Sequence, residues 1–355
     1  MSGIATSSRI LEQEPCAEFQ LNGYVSEICW TPDGSRVAVA SLEGEAAVFD
    51  VAAGRRAWSR PELLFGISST AICTEAGVLA CCGDEKKLSL LSLESGETLQ
   101  ELALPAWAER LRFSDDGALM AVAAGREVLV YQREGSVFNP YLTYTEHDST
   151  VSDIAWQPGG DILAACAYGA LSLWTGNDAK DHRRFRWKGS SLRVAWSPDS
   201  RYLATGDQDA TVHIWFVDSG KDLQMRGFET KVLELSWDHS GRYLATGGGI
   251  VPTVWDCSGK TGPENRPPVE LFGHKAQVKT LSFARQHSLL VAGDEIGDLC
   301  AWNPTADEAP GEPLERRTLS SALVYSAFSP DDSHLAIGGA DGVVSIFRTR
   351  WHERA

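Results

Sequence analysis

Apolar and polar positions along the chain alternate in short blocks, and no segment sustains the 3.6-residue stripe of an amphipathic helix. One phrase recurs: an apolar residue, a small residue and an aromatic, then a polar turn, then a short run rich in Ala, Val and Gly. The copies read ICWTPDGSRVAVAS, LRFSDDGALMAVAA, IAWQPGGDILAACA, VAWSPDSRYLATGD, LSWDHSGRYLATGG, LSFARQHSLLVAGD and SAFSPDDSHLAIGG, with a weaker AICTEAGVLACCG between the first two. Their anchors are Trp30, Cys73, Phe113, Trp156, Trp196, Trp237, Phe283 and Phe328, spaced by 43, 40, 43, 40, 41, 46 and 45 residues. Within each copy the anchor ends one strand, and Pro-Asp-Gly or a relative turns the chain into a second. A Gly/Asp turn opens a third strand that in most copies closes on an aromatic, as in AAVFDV or TVHIWFV. A further Gly turn opens a fourth, such as GETLQEL.

Four short strands per repeat of this length predict a β-propeller. The expected fold is all-β: a single closed propeller of four-stranded antiparallel blades over residues 15–350, eight by the anchors, with seven as the alternative count. The last copy ends at Phe347-Arg348 with three strands. The strand-like CAEFQL at 16–21 is expected to supply its fourth, closing the ring and removing an open edge. Residues 1–14 read as a flexible terminus and 351–355 as a tail. Deleting 1–12 is therefore expected to do little, and deleting 1–22 to destabilise.

The blocks GHKAQVKTLSF (273–283) and VAWSPDSRYLATGDQDATVHIW (194–215) resemble the WD-repeat (tryptophan–aspartate) propeller family, and the resemblance extends over nearly the whole chain. It implies a hydrogen-bonded set in each blade: a Trp on the third strand, a Ser or Thr on the second, a His before the first, and an Asp between the second and third. No copy has all four. The fifth keeps Thr205, Asp209 and Trp215 but has Gly189-Ser190 for Gly-His. The seventh keeps Gly273-His274 and Trp302 with Ile296 at the Asp position. The fourth has His147 and Trp174 with Tyr168 there, and the eighth pairs Asp341 with Phe347. Blades are then expected to be held mainly by packing, each large aromatic burying on the order of 150–250 Å².

Charge narrows the function. The 355 residues carry a net charge of -16, which disfavours phosphate backbones and anionic lipid. No apolar run approaches the ~18 residues of a membrane helix, and MSGIATSSRILEQEPC lacks the pattern of an export signal. A cytoplasmic protein, monomeric by itself, is expected. Eight cysteines without Cys-x-x-Cys and eight histidines without close pairs predict no metal and no cofactor. GGGIVP (247–252) lies between strands and reads as a tight turn, and no G-x-S-x-G is present. The alternative is an enzyme or small-molecule binder with a site at the channel mouth. VFDVAAGRRAW (48–58) and Cys81-Cys82 resemble local features of quinone-dependent dehydrogenases of propeller fold.

The expected function is a non-catalytic scaffold that binds a protein or peptide, one with basic segments, through the loops of one face. Candidate contacts are Tyr24, Trp107, Lys188, Lys231 and Lys275 in loops entering first strands. Tyr168, Asp84, Glu85, Asp294 and Glu295 join them from turns between second and third strands. Three positions before each anchor stand Glu27, Thr70, Arg110, Asp153, Arg193, Glu234, Thr280 and Tyr325. They are expected to line the channel as an ion-paired ring.

Overall fold

A computed structural model of the chain describes residues 10–145, 147–175, 177–180 and 182–350. Regular structure among them is β throughout, thirty strands without a helix. In most sheets the strands follow chain order from the centre outwards, as in Val25–Trp30, Arg36–Ser41, Ala46–Asp50 and Arg55–Arg60. First strands pack on one another in turn: Val25–Trp30 on Ile67–Cys73, that on Ala108–Phe113, and so on to Leu323–Phe328, which lies against Val25–Trp30. Second strands such as Val78–Gly83 are buried on both faces, because each sheet stacks between two others. Fourth strands such as Thr98–Ala103 are largely exposed and polar, which suits an outer edge.

The sheets number seven, six of four strands and one of six, where the anchors predict eight separate blades. The difference lies in the fourth and fifth copies. His182–Trp196 runs unbroken from one copy into the next, its first half pairing with Ile162–Thr175 and its second with Tyr202–Asp207. Gly189-Ser190 stays extended at the junction, and Ser190 pairs with Tyr168, so the two copies share hydrogen bonds.

The sheet of Leu323–Phe328, His334–Gly339 and Val343–Arg348 takes its fourth strand from the other end of the chain, Ala17↔Ile346 through Gln20↔Val343. Packing begins earlier than the expected boundary at residue 15. Ile10 and Leu11 are buried beside Val291, Leu335 and Phe347. Their amides donate to Glu315 Oε2 at 2.7 and 3.0 Å, and Arg317 donates to Leu11 O and Glu12 O at 3.2 and 2.8 Å. Residues 10–14 are thus a strap rather than a loose end, because an apolar pair and backbone hydrogen bonds hold them. Residues 1–9 and 351–355 lie outside the described residues.

The anchors have a second role. Trp30 Nε1 donates to Ala327 O, Trp156 to Arg112 O, Trp196 to Ala155 O and Trp237 to Ala195 O, at 3.0–3.2 Å. Each indole fills the gap between neighbouring sheets and pins its own repeat to the preceding one. The weak second copy is out by one residue. Ile72 pairs with Leu79 as Trp30 pairs with Val37, so the anchor position is Ile72 and not Cys73. The inward position is then Ser69, while Thr70 turns its hydroxyl to Ala80 O.

Candidate functional site

Antiparallel order brings the loops entering first strands and the turns between second and third strands to one face. Nine of the thirteen exposed large apolar side chains among the described residues lie there. Tyr24, Leu42, Phe65 and Trp107 follow one another across three adjacent sheets, Phe65 at 84% and Trp107 at 64% exposure. Leu42 N donates to Tyr24 O at 2.9 Å, which holds these two loops side by side. Tyr168 is also exposed, and Ile250, Val251, Phe272 and Ile296 form a second group further round the face. Phe65, Leu42 and the second group were not expected from sequence. They sit in loops and turns outside the repeated phrase, all but Leu42 next to a Gly or Pro.

The charged candidates divide. Lys188, Lys231, Lys275 and Asp84 are exposed. Glu85 and Glu295 lie within 3.5 and 3.4 Å of Lys87 and Lys279. Asp294 is not a rim acid: it is fully buried. It accepts from His274 Nδ1 at 2.9 Å and from the amides of Ile296 and Asp298 at 3.1 and 2.9 Å. A buried carboxylate needs such donors, so Asp294 is committed to holding its own turn.

The channel is a cavity of about 1000 Å³ that reaches Tyr24 and Leu42 at its mouth. The ring of charges is only partly paired. Arg112 lies 3.1 Å from Glu27, which also accepts from Ser69 Oγ and Thr70 N at 2.9 and 2.7 Å. Arg110 lies 3.4 Å from Asp153, which takes the amides of Ile154 and Val194, each at 3.0 Å. Arg193, Glu234, Thr280 and Tyr325 make no ion pair within 4 Å among the described residues. Glu234 turns toward the GGGIVP loop, where a Cβ at Gly247 would lie 2.4 Å from its Oε2. Burial raises its carboxyl, and backbone hydrogen bonds at Glu234, Leu233 and Gly248 partly offset this.

Cys81 and Cys82 are free, buried and absent from the channel wall. Burial pushes the Cys81 thiol up to about 12 and the Cys82 thiol higher still. No group of three or more potential metal-ligating side chains occurs among the described residues, nor any helix long and apolar enough to cross a membrane.

Comparison with known proteins agrees with this architecture. The chain is 25% identical over 199 residues to Protein HIR1 of Kluyveromyces lactis, covering 51% of this chain and 20% of that one. It is 29% identical over 144 residues to Actin-interacting protein 1 of Drosophila melanogaster (39% and 23%). It is 28% identical over 116 residues to the probable cytosolic iron-sulfur protein assembly protein 1 of Candida glabrata (29% and 34%). The matches span about a fifth to a third of the length of these relatives. The crystal structure of the computationally designed Ika8 protein superposes with a TM-score of 0.77 at 15% identity, covering 94% of this chain and 99% of that one, a likeness of fold alone. The family model described as WD domain, G-beta repeat matches residues 138–175, 185–215 and 315–348. With these matches and the repeated four-strand unit, the chain carries WD repeats in three stretches of a β-propeller fold.

Proposed function

We propose that the protein is a non-catalytic interaction scaffold that holds a protein or peptide partner on its loop face. The observation that carries this is the gathering of exposed apolar side chains on that one face, above all Tyr24, Leu42, Phe65 and Trp107. Large aromatics within a polar rim are what partner surfaces use as anchors. Asp84 and Glu85 beside them and Glu295 further round the face, on a chain of net charge -16, favour basic segments over nucleic acid. One relative bears an interaction in its name, and another name refers to the cytosol, the compartment we favour here too.

We also infer that the six-stranded sheet is two repeats fused, making eight around a ring. Trp156 and Trp196 each serve as an anchor within it. The pairing of Ala17–Gln20 with Val343–Arg348, and the Trp30 bond to Ala327 O, support closure between first and last repeats.

The test is affinity capture from the source cell, then binding of the purified partner to Trp107→Ala and Phe65→Ala. Both side chains are exposed, so stability should change little. Truncating an aromatic hot spot costs about 2 kcal/mol or more, roughly thirtyfold in Kd. Binding should also weaken as salt rises. Unchanged affinity in both folded variants would remove the partner from this face.

A further inference from the structure

The channel runs against the charge of the rest of the molecule. The chain carries net -16, yet six basic and five acidic side chains line the cavity, and two of those acids are bound up with arginines. Arg193 projects from the first strand of the fifth copy. It donates to its own neighbour's carbonyl, Leu192 O, at 2.9 Å, and no carboxylate lies within 4 Å of it among the described residues. Its guanidinium is mostly out of water, and burial together with neighbouring Arg110 lowers its affinity for a proton. Tyr325 also lines the cavity and its hydroxyl makes no hydrogen bond among the described residues; burial and then Glu27 raise it, with Arg112 and Arg110 acting the other way. Unused guanidinium donors and an unused phenol therefore line one cavity. The acid closest in role, Glu234, is turned to the Gly247–Gly248 backbone and raised by burial.

We propose that the channel binds a small organic oxyanion, a carboxylate or phosphate compound, with Arg193 as its principal ligand and Tyr325 as a second donor. A guanidinium offers parallel N–H groups that match a carboxylate or phosphate edge, and such charge-assisted bonds are the strong ones. Partial desolvation in the cavity strengthens them further. Asp153 and Glu27 keep Arg110 and Arg112 in place as a positive backdrop; Asp153 also favours the charged form of Arg193 but lies beyond 4 Å of its guanidinium. The volume admits a molecule of metabolite size. This site is separate from the rim, and its test uses no partner protein, so either reading can fail alone.

The experiment is isothermal titration of the full chain with citrate and with inorganic pyrophosphate, at constant ionic strength set with chloride. Saturable binding of at least one is expected. Arg193→Gln should weaken it about tenfold or more, Tyr325→Phe should weaken it by a smaller factor, and the surface control Lys221→Gln should leave it unchanged. If Arg193→Gln does not fold, Arg193→Lys keeps the charge without the fork and should still bind measurably more weakly. Absence of saturable binding with both probes overturns the proposal. So does equal affinity in wild type and a folded Arg193 variant, which would place the anion elsewhere.

Discussion

The strap at Ile10-Leu11 makes the sharpest stability prediction, because the packing reverses what the sequence leads one to expect. Both side chains are essentially inaccessible to water, at 0% and 1% exposure, in a cluster with Val291, Leu335 and Phe347. Replacing a buried Leu or Ile by Ala costs about 2–5 kcal/mol, the lost transfer energy plus the cavity left behind. The two share one cluster, so their effects combine less than additively. A double Ile10→Ala, Leu11→Ala variant should lose about 4–8 kcal/mol. Removing residues 1–12 takes away the same side chains and the two amide bonds to Glu315 Oε2, and leaves Arg317 without the carbonyls of Leu11 and Glu12. The assay is urea unfolding followed by tryptophan fluorescence, with Leu99→Ala as an exposed control expected within about 0.5 kcal/mol of wild type. The midpoint should fall sharply with little change in slope, since the fold that unfolds is the same. A double variant and a 1–12 deletion that both unfold at the wild-type midpoint would refute the argument, and the segment would then be lying on the surface without contributing.

Two further predictions concern pH. Asp207 is buried, its Oδ1 has no partner, and burial holds its carboxyl up at about 8, above the ~3.9 of an unfolded chain. A raised carboxyl stabilises fully below the unfolded value and is lost through the folded one. Stability should therefore decline as pH rises from about 4 to about 8, and Asp207→Asn should flatten that part of the profile. His147 behaves oppositely. Burial lowers it to about 4, and the neutral ring accepts from Trp174 Nε1 at 3.3 Å while its Nδ1 faces Arg126 O at 3.1 Å. Its contribution should be intact above about 6.5 and vanish as pH falls through about 4, a loss that denaturation of His147→Gln between pH 4 and 7 should not show.

What the sequence made legible follows the repeat. The Pro-Asp-Gly turns are where they were expected, and the same polar logic recurs in them: Thr31 Oγ1 to Asp33 at 2.6 Å, Ser197 to Asp199 and Ser329 to Asp331 at 2.7 Å. Even the left-handed residue recurs, Gly34 at φ 68° in one copy and Ser200 at φ 59° in another. What stayed hidden depends on partners far along the chain. Nothing local marks Ile10-Leu11 as core, because Glu315 and Phe347 lie more than 300 residues away. The second copy slipped by one because its turn lacks an aromatic anchor to fix the register, and period two makes a one-residue error exchange the two faces. Phe65 was missed because it stands in the loop ahead of the repeated phrase, although the seventh copy has a matching Phe272-Gly273 there.

The acidic residues show why the candidate surface is better judged by need than by composition. Each repeat must tie the loop entering its first strand to the turn between its second and third, and different copies do so with different atoms. The fourth joins His147 to Trp174 of its third strand, the fifth uses the backbone bond from Gln208 N to Ser190 O at 2.9 Å, and the seventh His274 and Asp294, while Trp302 bonds instead to Phe272 O. A missing residue in the family pattern is therefore not a missing bond. Conversely, an acid in the right turn is not free for a partner. Asp294 occupies the same register position as Asp207 in the LATGD and LVAGD copies, and both are buried. In the second copy Gly83 takes that register position, and Asp84 stands one residue further on and is exposed. An acid is interior at the strand-end position, where a histidine or a hydroxyl meets it, and exterior one residue later in the turn. Among the acids predicted for the rim, that places Asp84 rather than Asp294 beside the apolar side chains of Leu42 and Phe65, close to Gly66, whose added Cβ would meet Asp84 Oδ2 at 2.9 Å and Leu42 O at 2.9 Å.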